Sequence, residues 1–236
     1  MKSDYYYSRP RPEILNELPR DQGRVLDVGC AAGFMGEELK KSGAAHVAGI
    51  EIVPEVAREA EKRMDEVICG DIEEIELPFP PDSFDTIICA DVLEHLKDPW
   101  AVMKKLSGVL KPEKGLMIVC IPNVAHYSVF VPLLAGVWKY EEMGILDETH
   151  LRFFTASGAG EMIRGAGLEL EKVLPVTIGS DEELAAGTKM EFLKKDVLKI
   201  VNRFIKEEQS AIADNINVDQ YFIYEYLLFA RKPASP

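Results

Sequence analysis

The chain has 236 residues, enough to bury one sizeable core. Its 27 Lys and Arg against 40 Asp and Glu leave a net charge of -13, the wrong sign for neutralising a phosphate backbone, so nucleic acid is not an expected partner. Hydrophobic residues make up 47%, yet no apolar run approaches the ~20 residues of a spanning helix, and stable membrane insertion is not expected either.

The opening MKSDYYYSRPRPE carries no apolar leader core, which points to a cytoplasmic protein. Short apolar runs then alternate with amphipathic stretches, the rhythm of a parallel sheet flanked by helices. RVLDV (24–28) reads as the first strand, and residues 33–42 as a helix closed by Gly43. A second strand is expected at 46–50. Pro54 opens a helix through PEVAREAEKRM, and EVIC (66–69) and FDTIICA (84–90) are the third and fourth strands. Asp98 is a helix cap with Pro99 in the first turn, and Lys111-Pro112 stops that helix before the fifth strand, GLMIVCI (115–121). The rhythm fails at 122–154, an aromatic and apolar insertion broken by Pro132, Gly136 and Gly144. A helix at 156–166 and a strand at 168–178 restore it. An acidic helical segment at 181–213 follows, and QYFIYEYLLFAR (220–231) closes the sheet as a strand apolar on both faces. One domain spanning 1–236 is expected, with a helical N-terminal lid over 1–22 and the two insertions on the substrate side. The four cysteines stand singly, without metal-ligand spacing, so no metal is expected. Cys69, Cys89 and Cys120 in strand runs read as small buried hydrophobes, while Cys30 sits in a glycine-rich turn.

That turn, VLDVGCAAGFMG, is the most informative segment. A strand that enters a helix through glycines lets a ligand approach the backbone and meet the unpaired N–H groups of the helix start. The dinucleotide fingerprint G-x-G-x-x-G is absent, because after Gly29 and Gly33 the third glycine is missing. The pattern D-x-G-C-x-x-G resembles instead the cofactor turn of the class I S-adenosylmethionine-dependent methyltransferases, with Asp27, Gly29, Cys30, Ala31 and Gly33 at the positions that wrap the methionine end. Ala31 replaces the middle glycine of the family. The resemblance implies a Rossmann-like, doubly wound seven-stranded α/β sheet, mostly parallel with an antiparallel last strand and helices on both faces. It also implies S-adenosylmethionine as cofactor and S-adenosylhomocysteine as product.

Acids follow the next strands in turn, at the sheet edge where such folds hold ligands. Glu51 can accept both ribose hydroxyls. The resemblance places Asp71 on the adenine amino group, Ile52 and Ile72 over the ring, and Ala90 and Asp91 of ADVLEHLKDP where cofactor meets substrate. Each acid read singly is also a surface turn or a helix cap. Glu94-His95 reads as structural rather than catalytic.

Methyl transfer from a sulfonium is an in-line displacement by an activated donor, so alignment supplies most of the catalysis, about 7–11 kcal/mol for well-oriented reactants. A base matters only for a weakly acidic hydroxyl. The insertion, with ILDETHLRFFT, resembles a subgroup of these enzymes, the type 11/12/23 methyltransferases that accompany glycosyltransferases in bacterial cell-surface polysaccharide loci. It implies a small-molecule acceptor such as a sugar, methylated on oxygen. His150 is the first candidate base and His126 the second; the alternative for His150 and Arg152 is a pin between insertion and sheet. Asn123, Tyr127, Asp147 and Arg152 are candidate substrate contacts. Val124 to Trp138 reads as a pocket cover or homodimer contact rather than an interfacial membrane element, since it lacks a basic face. Two rival functions remain open at this level: a nicotinamide-dependent oxidoreductase, and a cofactor-binding partner of a glycosyltransferase without catalysis.

Overall fold

The computed structural model describes residues 10–176 and 218–234, together with Lys199. Seven strands form one sheet in the order β3-β2-β1-β4-β5-β7-β6. They are β1 (Arg24–Val28), β2 (His46–Glu51), β3 (Glu66–Cys69), β4 (Thr86–Ala90), β5 (Leu116–Pro122), β6 (Glu169–Val176) and β7 (Glu225–Arg231). The first five run parallel, and β7 is antiparallel to both of its neighbours. The chain runs from β1 outward to β3 and then crosses to β4 on the other side of β1. This reversal opens a crevice at the carboxyl ends of β1 and β4.

Period-two burial explains why the sheet needs helices on both faces. Met117, Val119 and Ile121 of β5 point into one core with Val102, Met103 and Leu106 of α4 (Pro99–Val109) and Met162 and Ile163 of α6 (Ala156–Gly165). Leu116, Ile118 and Cys120 point into the opposite core. There they meet Ile14 of α1 (Pro12–Leu15), Met35 and Leu39 of α2 (Phe34–Ser42), and Ala60 of α3 (Pro54–Ala60). The expected caps form: Asp98 Oδ1 accepts from Ala101 N at 3.0 Å, and Gly43 adopts φ 112° at the end of α2.

Several boundaries differ from the sequence reading. The α3 helix stops at Ala60, and residues 61–64 coil as turns that return Met64 to the core. Phe84 lies ahead of β4 and bridges to Leu110. The final strand starts at Glu225 rather than at 220, because Val218–Phe222 winds into a 3-10 turn in which Gln220 O accepts from Asn123 Nδ2. It is apolar on both faces because it lies inside the sheet, between β5 and β6. Within the insertion, α5 (Tyr127–Leu134) forms despite Pro132, and Asn123 bridges to Phe154 to tie both ends of the segment to the sheet. Leu133, Leu134, Val137, Trp138, Tyr140 and Met143 of this segment are exposed. Cys69 is exposed at the end of the edge strand β3, not buried, whereas Cys30, Cys89 and Cys120 are buried; all four are free thiols. The segment 181–213, apart from Lys199, and the Tyr5 to Arg9 stretch lie outside the described residues.

Phe84 is fully buried and meets Phe79 edge-on at 4.7 Å. Phe84→Ala is expected to lower the unfolding free energy by about 3–5 kcal/mol, measured by urea denaturation; a loss under ~1 kcal/mol would contradict this packing.

Candidate active site

The crevice at the strand ends is a cavity of about 640 Å³, in the size range of small-molecule sites. Its wall begins with the β1 turn. Gly29 has φ 71°, and a Cβ there would lie 2.4 Å from Val92 Cγ2, so only glycine fits. Ala31 also has φ 48°, an αL conformation that costs an L-residue roughly 1–2 kcal/mol. Glu51 secures this strained turn: its Oε2 accepts from Ala31 N at 3.0 Å and its Oε1 from Val53 N at 2.9 Å. Both oxygens keep further lone pairs for a ligand.

Asp27, Gly29, Cys30, Ala31, Glu51, Ile52, Asp71, Ile72, Ala90 and Asp91 all line the cavity. Gly33 does not. It caps α2 at φ 81°, and a Cβ there would meet Ala60 Cα at 3.0 Å, so its role is close packing of turn against α3. Ile52 is 59% exposed at the rim of the cavity.

Asp27 is 1% exposed, and its Oδ2 has no hydrogen-bond partner among the described residues. Burial, reinforced by the Glu51 charge and only partly offset by Arg11, pushes its carboxyl up to about 8. Asp91 also holds a left-handed backbone, φ 54°, and among the described residues its Oδ1 has no hydrogen-bond partner while Oδ2 accepts from Arg11 Nη1. Arg11 lines the same cavity from the N-terminal segment. It pairs with Glu13 at 2.6 Å and Glu225 at 3.6 Å and donates to Cys120 Sγ at 2.9 Å. Burial opposes its charge, but Asp91, Cys120, Glu225 and Glu13 outweigh burial and keep the guanidinium protonated.

The residues singled out in the insertion fall elsewhere. His126 caps α5, with Nδ1 2.8 Å from Ser128 Oγ, and burial pushes its imidazole down to about 4. His150 lies behind the cavity wall, its Nδ1 2.9 Å from Ile145 O. Asn123 spends its amide on Gln220 O and Ile223 O, both at 2.8 Å, and its carbonyl on Ala125 N. Tyr127 packs on His126 and Phe222. Asp147 Oδ1 accepts from Thr149 N and Oγ1. Arg152 donates to Leu151 O and Lys97 O, pinning insertion to sheet through carbonyls. None of these six lines the cavity. The cavity contains instead Arg11, Glu73, His95, Lys97 and Thr149. Of these, His95 was within reach of sequence reasoning, because it follows Asp91 by one helical turn in DVLEH.

Comparison with known proteins agrees with this geometry. A family model described as a methyltransferase domain matches residues 2–173. The chain belongs to this family, and its class is that of the S-adenosylmethionine-dependent methyltransferases. A ubiquinone biosynthesis O-methyltransferase of Xylella fastidiosa is 33% identical over 167 residues, covering 68% of this chain and 66% of that protein. One of Neisseria meningitidis is 29% identical over 154 residues, 62% of this chain and 64% of that protein. The chain thus spans just under two thirds of the length of these curated relatives. Among solved structures, an S-adenosylmethionine-dependent methyltransferase of Mesorhizobium loti superposes with a TM-score of 0.60 at 17% identity, covering 93% and 96% of the two chains. One of Archaeoglobus fulgidus gives 0.60 at 16% identity over 97% and 94%. At these identities the structures speak to the fold alone. S-adenosylmethionine is the cofactor of this methyltransferase family, and the unbonded Asp27 oxygen, the glycine approach and the uncovered Ile52 fit it. The nicotinamide reading gains no support.

Because Asp27 binds its proton more tightly folded than unfolded, the ligand-free protein holds that proton at pH values where the unfolded chain has lost it. Stability therefore falls as pH rises from about 4 to about 8. Asp27→Asn is expected to flatten this slope and to raise the thermal midpoint at pH 9 relative to the parent, read by a pH series of thermal melts. A variant slope as steep as the parent's would refute it.

Proposed function

We propose that this protein methylates a hydroxyl oxygen of a small-molecule acceptor, a sugar or related metabolite. The observation that carries this reading is the convergence of Asp27, Glu51, Asp71 and Asp91, from the ends of four successive parallel strands, on one cavity. Asp27 and the Gly29 turn would hold the amino-acid end of the cofactor, Glu51 the ribose, and Asp71 with Ile52 and Ile72 the adenine. When bound, the cofactor supplies an electrophilic methyl on a sulfonium: the acceptor oxygen gains the C–O bond, the C–S bond breaks, and S-adenosylhomocysteine remains.

The chain's own work is alignment, charge and removal of one proton. Asp91 supports the proton-accepting role, since it lines the cavity and its buried Oδ1 has no donor among the described residues. Arg11 holds the other oxygen of that carboxylate and fixes its orientation. His126 and His150, the bases expected from sequence, do not line the cavity, so direct contact with an acceptor favours Asp91 and His95. An oxygen acceptor is supported by the relatives, which are named as O-methyltransferases. A cytoplasmic setting is supported by four cysteines that are all free. The exposed apolar residues of segment 127–143 support a contact with a second copy.

Titration calorimetry with S-adenosylhomocysteine is expected to show one site per chain. Glu51→Ala should weaken it about 100-fold, from the loss of charge-assisted hydrogen bonds, and Gly29→Val should abolish it through collision with Val92. Incubation of a cell extract with methyl-labelled cofactor should then yield an O-methylated small molecule. Absence of heat at millimolar ligand, or of labelled product from any extract, would overturn the reading.

A further inference from the structure

An ammonium carries three N–H donors and no acceptor, and Lys105 of α4 directs its donors at one short loop. Its Nζ donates to Ile72 O at 2.7 Å, to Ile75 O at 2.9 Å and, more weakly, to Glu73 O at 3.3 Å. This loop follows β3 and brings Asp71, Ile72 and Glu73 to the cavity wall, whereas Lys105 is half-buried and does not line the cavity. A second tie comes from the start of the same helix: Glu73 Oε1 accepts from Asp98 N at 2.7 Å and Oε2 from Lys97 N at 3.1 Å. α4 thus grips the loop at its capping end and again about two turns further on.

One peptide unit connects this grip to the ligand side. The Ile72 carbonyl and the Glu73 N–H belong to the same planar amide. Lys105 holds the oxygen of that plane, and its N–H donates to Asp71 Oδ1 at 2.9 Å. Rotation of the plane would carry the donor away from Asp71 and free the carboxylate to turn. With the plane fixed, Oδ1 stays engaged and the carboxylate keeps one orientation. A cation on the carbonyl also polarises the amide and strengthens the hydrogen bond at its other end.

We propose that Lys105 is a positioning residue for the base of the cofactor: it orients Asp71 through the Ile72–Glu73 peptide, and the choice of a 6-aminopurine over a 6-oxopurine depends on it. A carboxylate accepts from a 6-amino group, whereas a 6-oxo group leaves that acceptor facing another acceptor. The discrimination is therefore only as sharp as the carboxylate is fixed. The role rests on Asp71 meeting the adenine amino group, as in the reading above, and adds to it a side chain outside the cavity.

Calorimetry on the full chain compares S-adenosylhomocysteine with S-inosylhomocysteine, which has a 6-oxo group in place of the amino group. The parent is expected to bind the adenosyl compound roughly 10- to 100-fold more tightly, the worth of one hydrogen bond to a charged acceptor, and Asp71→Ala to lose that preference. Lys105→Met keeps a long unbranched stem and removes the ammonium. It is expected to cut the ratio about 10-fold, through weaker binding of the adenosyl compound. Lys104→Met, at the exposed neighbouring position of α4, should leave the ratio unchanged. A lysine that merely stabilised the fold would lower the thermal midpoint and weaken both compounds alike, with the ratio kept. Should Lys105→Met fail to fold, Lys105→Gln, whose amide has two donors instead of three, is judged by the same ratio. A ratio in the folded variant within about twofold of the parent's, a parent ratio near one, or a preference that survives Asp71→Ala would overturn the role. Loss of preference in Asp71→Ala with none in the lysine variant removes only the part assigned to Lys105, while a parent that binds neither compound removes the methyl-transfer reading as well.

Discussion

The site depends on one clamp, Glu51, which ties the end of β2 to the turn that follows β1. Its two oxygens hold Ala31 N and Val53 N, and Ile50 O takes the N–H groups of Gly29 and Cys30 beside it. The turn runs through positive φ at Gly29, Ala31 and Gly33, a conformation that isolated chain would seldom adopt. Because the clamp comes from the neighbouring strand, the turn holds its shape only when the sheet is paired, and the shape of the cavity follows from the register of β1 on β2.

Around this turn the molecule concentrates negative charge in low dielectric. Asp27, Glu51, Asp91 and Glu94 share one region, and Arg11 is a cation buried among them. Burial raises Asp27 and Glu94 well above ordinary carboxylates, so part of this charge is carried as protons rather than as ion pairs. Such a site has room for positive charge brought from outside. A sulfonium cofactor is one source of it.

Most of the frame was legible in the sequence because the pattern of β-rich runs and helix caps is local. β1 and β3 match their expected bounds, and Asp98, Pro99 and Gly43 act as expected. The strand-end acids were also legible, since their positions follow directly from the strands. The insertion was not. His126, Asn123 and Asp147 are polar residues among apolar ones, which from sequence alone looks like a pocket. In space their polar atoms are spent on capping and on carbonyls that no periodicity reveals. Arg11 and the pairing of His95 with His150 depend on contacts between segments far apart in the chain, and nothing local encodes them.

The last feature concerns the far edge of the sheet. Among the described residues β6 is hydrogen-bonded to β7 and to no other strand, while β7 is wedged against β5. During synthesis on a ribosome β6 therefore emerges with no partner waiting and stays unzipped until the 225–231 stretch has left the exit tunnel. Translation thus completes a nearly finished nucleoside cradle well before its distal flank can close, and nascent chains paused in between would display an unsealed β5 border to chaperones.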